Sequence, residues 1–292
     1  MPNPWPHGAK CAISFTMDNL GEAQAVHNKT WPADKPTGQD PSVLETLPRI
    51  LDILAKAQNN TTTTKNNNDK GVRATYFAEA WSLPTYPAAV ADLQRRGHEV
   101  AWHGYQHEVW HALSAAEEEA SFERSFGAAR DAGVRYAGFR PPGGRINGAR
   151  TMGLFRRFGV GYVSPLGKFG VERCGDGEAD VVVVVLPFEW EAVDAFWYMD
   201  KFGGIRREHG VQEGPLGPAE FRGYLLRRIE EVKREGGYMS ILFHPFLTTD
   251  EERMKLLGEI VDKIGRDPDV WCAPCGEVAD WVRDHSAEFG FK

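Results

Sequence analysis

The sequence is poor in cysteine, with four residues in 292, and only Cys272 and Cys275 stand close together, as CAPC. One C-x-x-C pair without a second falls short of the four ligands a structural zinc site takes, so the four are read as reduced thiols of a reducing compartment. No apolar run reaches the roughly 18 residues a membrane span requires. Positive charge is also in deficit: 34 basic residues against 41 acidic ones give a net charge of -7, and no clustered basic face of the kind nucleic acid selects is visible. The first ten residues, MPNPWPHGAK, contain three prolines and lack the apolar stretch of a signal peptide, which points to the cytoplasm. Nucleic acid and membrane are therefore not expected as partners, while a homo-oligomer is left open.

What is present suits an α/β protein. At 292 residues the chain fits one large domain with a sizeable core, and 42% hydrophobic and 26% charged residues are ordinary for a globular protein. Strand-like and helix-like stretches alternate. KCAISFTM (10–17) reads as a buried strand; VLETLPRILDILAKAQ carries Leu44, Leu47, Leu51 and Leu54 at helical spacing. VRATYFAEA, HEVAWHG, VRYAGFRPPGG, GYVSP, VVVVVLPF, YMSILFHP and DVWCAPC read as further strands, separated by helices such as the one opened by the Ser114-x-x-Glu117 capping box. NNTTTTKNNNDKG (59–71) has nothing to bury and reads as a mobile insertion. Such alternation predicts parallel strands with crossover helices. Asp18, His103, Arg140 and His244 all fall at the C-terminal ends of predicted strands, which in a parallel barrel converge on one mouth.

His103 and His107 form H-x-x-x-H. On a helix these positions share a face and could reach one zinc, iron, cobalt or nickel ion; the plainer reading is a hydrogen-bonded pair on a surface helix. Asp18 offers a carboxylate, or simply a cap for the next segment. Arg140 sits in a proline-stiffened loop, FRPPGGR, where it could pair with a carboxylate and keep it ionised. His244, in ILFHP, is a strand-end residue that beside a metal becomes a candidate general acid.

Taken together, SFTMDN, HEVAWHGYQHE, GFRPPGGR and ILFHP, in this order and spacing, resemble the polysaccharide deacetylases: carbohydrate esterase family four, the NodB-homology domain. The branch it looks nearest to is the leaderless peptidoglycan-deacetylase and allantoinase-like one. The resemblance spans about residues 10–280. It implies a distorted (β/α)7 barrel in one catalytic domain over 1–292. It also implies a divalent metal, zinc first with cobalt, nickel or iron as alternatives, held by Asp18, His103 and His107. The implied reaction removes N-acetyl groups from N-acetylglucosamine-containing oligo- or polysaccharide; the alternatives are a small linear or cyclic amide as substrate, or a catalytically impaired sugar-binding barrel. His244 would be the acid, oriented by Asp194 with Glu189 as second candidate, and Arg140 would brace the base. One departure stands out. The family places two acids in its first motif, and this chain has TMDN. Asp18 is the base if the acids are adjacent, with Asn19 in the ligand position; in a D-x-D register Asp18 is the ligand and Thr16 holds the base position. Glu22 or Asp40 could complete the site if neither mapping holds. Asn19→Asp is then expected to raise metal affinity in the first register. Trp190, Phe196, Trp197 and Tyr198 form either a sugar-stacking wall or core.

Overall fold

The computed structural model describes residues 4–60, 71–174 and 181–291. Its centre is a nine-stranded sheet: β1 (Cys11–Asp18), β2 (Thr75–Ala78), β3 (Glu99–Trp102), β4 (Gly138–Phe139), β5 (Tyr162–Val163), β6 (Gly170–Cys174), β7 (Val181–Val185), β8 (Tyr238–Phe243) and β9 (Val270–Cys272). The order is β6-β7-β5-β4-β3-β2-β1-β8, with β9 beside the start of β1. Every pair is parallel except β6 with β7. The result is a curled α/β half-barrel wrapped by helices, the distorted barrel expected. Single bridges, Leu166 to Phe188 and Val193 to Leu242, carry the segment after β7 across to β8.

Strand β1 shows how the sequence places the site. Residues alternate between faces of a strand. Cys11, Ile13, Phe15 and Met17 join the main core with helices such as Leu47–Lys56 and Glu251–Arg266. The other face carries Ala12, Ser14, Thr16 and Asp18, all buried inside the curl. Helix Cys275–Asp284 packs its Val278, Ala279 and Val282 into this second cluster, against Ala12, Phe77 and Tyr162. All four cysteines are buried.

Some expectations need correction. Strand β6 was not foreseen, because an edge strand reading GVERC, partly exposed, has no apolar run to betray it. Leu44 does not join the core: it is exposed in a turn of π-helix, Ser42–Thr46, that precedes the α-helix. Of the expected insertion at 59–71, residues 61–70 lie outside the described residues. No described helix is long and apolar enough to cross a membrane.

Candidate active site

Arg140 is the hub. Its amide continues the ladder from Trp102, and its side chain runs into the curl, 1% exposed. A guanidinium has five N–H donors, and all five find partners. Nε donates to Ser164 Oγ (3.2 Å), Nη1 to Thr16 Oγ1 (3.0 Å) and Asp18 Oδ1 (2.8 Å), and Nη2 to Ser164 Oγ (3.0 Å) and Ser240 Oγ (2.8 Å). The Phe77 ring lies 4.1 Å below the plane. One side chain thus ties β1, β2, β8 and the end of β5 together, and it turns the Asp18 carboxylate so that Oδ2 faces the mouth. Ser164 and Ser240 escaped the sequence reading. Their signal was there, a lone serine in each of two apolar strands.

His103 follows β3, and its Nδ1 donates to the Arg140 carbonyl at 2.7 Å. Its Nε2 lone pair is therefore free, 3.7 Å from Asp18 Oδ2. Burial pushes the His103 pKa down to about 3, and the Arg140 and His244 charges act in the same direction. His107 stands beside it, ring centroids 4.8 Å apart, with Gln24 Nε2 at 2.8 Å from its Nδ1. Burial, then His103, hold its pKa well below the ordinary value. The two histidines are not on a helix. His103-Gly-Tyr-Gln-His107 is a loop in which His107 has φ 65° and Gly104 φ 79°. A Cβ on Gly104 would meet the Glu108 carboxylate at 2.7 Å, and that carboxylate accepts from Tyr105 N to close the turn. The helical argument gave the right juxtaposition for the wrong local reason.

Opposite them, His244 ends β8. Its Nδ1 bonds Asp194 Oδ1 at 2.5 Å and its amide donates to Asp194 Oδ2 at 2.7 Å. Asp194 is fully buried and arrives on the segment that bridges to β8 at Val193. Glu189, the other candidate, is engaged elsewhere, by Tyr224 and Arg228. Burial alone would lower the His244 pKa; the charge and hydrogen bond of Asp194 outweigh it, and Asp18 adds to them, so it is raised above 6.5.

Asn19 borders the same cavity, but its side-chain amide is turned to a buried carboxylate. It takes φ 63°, its Nδ2 donates to Glu79 Oε1 (2.7 Å), and the next amide, Leu20 N, donates to Glu79 Oε2 (2.9 Å). Glu79, fully buried, had no signal beyond its place after β2. Burial pushes its pKa up to about 7, against hydrogen bonds that pull the other way. Thr16 and Asp18, two residues apart, share the face that meets Arg140. Glu22 accepts from Gly38 N and Tyr86 Oη, and Asp40 Oδ1 accepts from Ser42 N, so neither carboxylate is free for the site. Asn19→Asp would therefore set a second carboxylate against Glu79. We expect it to lower the unfolding free energy by about 1–3 kcal/mol and to leave metal retention unchanged, as read by denaturant titration and elemental analysis. Tighter metal binding without loss of stability would overturn this.

The donor types of Asp18, His103 and His107 fit a divalent ion: two imidazoles kept neutral by burial and one carboxylate oxygen left open by Arg140. Their arrangement is less complete. Among the described residues no three His, Cys, Asp or Glu side chains are set to hold one ion.

Asp18, His103, Arg140 and His244 line one cavity of about 300 Å³. Phe188, Trp190 and Phe202 form one wall, each ring 5.2–5.4 Å from the next. Of the aromatics expected to stack on a sugar, Phe196 and Trp197 are instead core, at 0% and 5% exposure.

Residues 39–163 match the sequence profile of the polysaccharide deacetylases. Among curated proteins none matches. Among solved structures, a protein from Mycobacterium smegmatis assigned to the polysaccharide deacetylases is 26% identical, with a TM-score of 0.77 over 97% of this chain and 93% of that one. A Pseudomonas aeruginosa PAO1 protein with the same assignment is 20% identical (TM-score 0.73; 98% and 95% covered). An allantoinase, Puue, is 17% identical (TM-score 0.74; 97% and 94% covered) and shares the fold. The motifs, the half-barrel and the profile over residues 39–163 agree in making this chain similar to the polysaccharide deacetylases.

Proposed function

We propose that the chain hydrolyses an N-acyl amide, with Asp18 as the base that takes a proton from the attacking water and His244 as the acid that protonates the departing amine. The observation that supports this is a pair of braced groups lining one cavity: a carboxylate fixed by Arg140 and an imidazole fixed by Asp194.

Asp18 Oδ2 and His103 Nε2 both accept hydrogen bonds. A water hydrogen-bonded to Asp18 Oδ2 would aim its lone pairs at the substrate carbonyl, leaving the His103 Nε2 lone pair to the ion that the donor set fits. As the C–O bond forms, the proton passes to Asp18 Oδ2. Collapse of the tetrahedral intermediate then breaks the C–N bond, and His244 Nε2 donates its proton to the leaving nitrogen. Asp194 holds Nδ1–H and offsets the imidazolium charge. A divalent ion, zinc first with cobalt, nickel and iron behind it, would be held by Asp18, His103 and His107 and would supply carbonyl polarisation and a more acidic water.

Likeness to the polysaccharide deacetylases supports acetyl removal from N-acetylglucosamine units of chitin or peptidoglycan type. The cavity favours a second reading, a small linear or cyclic amide. Its volume is at the lower end for ligand pockets, roughly 300–1,000 Å³, and one wall is aromatic rather than an open groove. Acetate release from chitin oligomers, run beside a panel of small amides, tests both. Chelation is expected to slow turnover at least about tenfold, with added zinc restoring it. Full turnover by protein shown to be metal-free would end the metal assignment and leave the acid–base assignment standing. No hydrolysis of any amide, with metal restored, would end the proposal.

A further inference from the structure

The cavity has an unbalanced charge. Among the described residues its one lining carboxylate, Asp18, is already paired with Arg140. A second cation, Lys201, lines the same cavity from a short turn, Asp200–Phe202, at the mouth. No acidic side chain lies within ion-pair distance of it among the described residues, although Asp200 is its neighbour in sequence. Its ammonium sits 5.3 Å from the centre of the Phe202 ring, part of the aromatic wall of the cavity. Lys201 is exposed at the rim, and its charge is felt at His107, which places it within electrostatic reach of the reacting centre. All this stands in a chain of net charge -7.

The rest of the lining lacks what a sugar needs. Apart from the reacting groups and Arg140, its polar side chains are Asn19, Gln24 and Lys201. Asn19 is engaged with Glu79 and Gln24 with His107. A pocket that selects a polyhydroxylated ligand places hydrogen-bond partners for its hydroxyls. Here Phe188, Trp190, Met199, Phe202 and Ile205 take those places. Apolar walls ending in one unpaired ammonium are complementary to a flat or apolar body ending in an anion.

The geometry points to a small N-acyl amide with an apolar or aromatic body and a carboxylate, the carboxylate held by Lys201 while the acyl carbonyl meets Asp18 and His244. This rests on the amide-hydrolase reading and names the substrate class for it. The bond cleaved is the same C–N bond, with water as the only co-reactant, so the products are a carboxylic acid and an amino acid-like amine.

The test compares N-acetylphenylalanine with N-acetylphenethylamine, which has the same body without the carboxylate. The wild-type protein is expected to prefer the anionic amide by about tenfold or more in kcat/KM, the scale of one charge-assisted contact. Lys201→Met should erase the preference and Lys201→Arg should keep most of it. A binding arm works without turnover: calorimetric titration with 3-phenylpropionate should show binding weakened about tenfold by Lys201→Met and by raised salt. Equal rates on the two amides, or a preference that survives Lys201→Met, would overturn the inference while amide hydrolysis stands. If no amide or chitin oligomer is hydrolysed, the amide-hydrolase reading fails by itself, and the titration still decides whether Lys201 binds the anion; 3-phenylpropionate binding indifferent to Lys201 overturns that too.

Discussion

Asp18→Asn is expected to cost about 10³–10⁴-fold in kcat, the upper part of what a general base contributes. The amide keeps the shape and can still accept from Arg140 at the Oδ1 position, 2.8 Å away. What it cannot do is take a proton from water. Arg140 would also lose its counter-charge in a site where both side chains are at most 5% exposed. Breaking a buried pair in this way can cost up to about 3–5 kcal/mol of stability. The measurement therefore needs a thermal melt beside the rate. A folded Asp18→Asn protein that turns over at near wild-type rate would remove Asp18 from the base position. Loss of rate only in proportion to loss of folded protein would make the residue a structural partner of Arg140 and nothing more.

His244→Ala is expected to fold and to lose about 10²–10⁴-fold in kcat, with the larger loss on amides whose amine leaves poorly. The pH profile gives the sharper reading. The acid must be protonated, so activity falls as pH rises through the His244 pKa, which Asp194 holds above 6.5. Asp194→Asn removes that charge and leaves burial, which lowers the pKa. The alkaline limb should then move to lower pH. The same group contributes stability that is complete below its unfolded pKa and is lost as pH rises through the raised folded one. Asp194→Asn should flatten that part of the stability curve. An alkaline limb that stays in place in Asp194→Asn would show that another group delivers the proton.

The order of elements was legible in the sequence because each strand and helix carries its own signal. An eight-residue buried run made β1, and a serine–glutamate box opened the helix Ala115–Asp131. The motif residues were legible for a related reason. Asp18, His103, Arg140 and His244 each end or follow a strand, and in a curled parallel sheet those ends meet. Asp194, 50 residues before His244, could be matched to it only through the family resemblance, with Glu189 as second candidate.

The directions of side chains were not legible. Nothing local to TMDN says that Asn19 turns to Glu79, 60 positions away, while Asp18 turns to Arg140, 122 positions away. Those choices belong to whichever partner the fold brings within hydrogen-bond reach. The cavity wall was hidden for the same reason: Trp190 and Phe202 line it, while Phe196 and Trp197, between them in sequence, go to the core. The sequence alone determined the class of chain, its alternation of elements and the motif residues that line the cavity, because propensity, periodicity and motif spacing are local. Only the tertiary structure decided which oxygen of Asp18 stays free, how the Asp194 carboxylate is turned to His244 and that Lys201 faces the cavity with no acidic partner among the described residues. Each of these is a contact between segments far apart in the chain, fixed by packing rather than by neighbours in sequence.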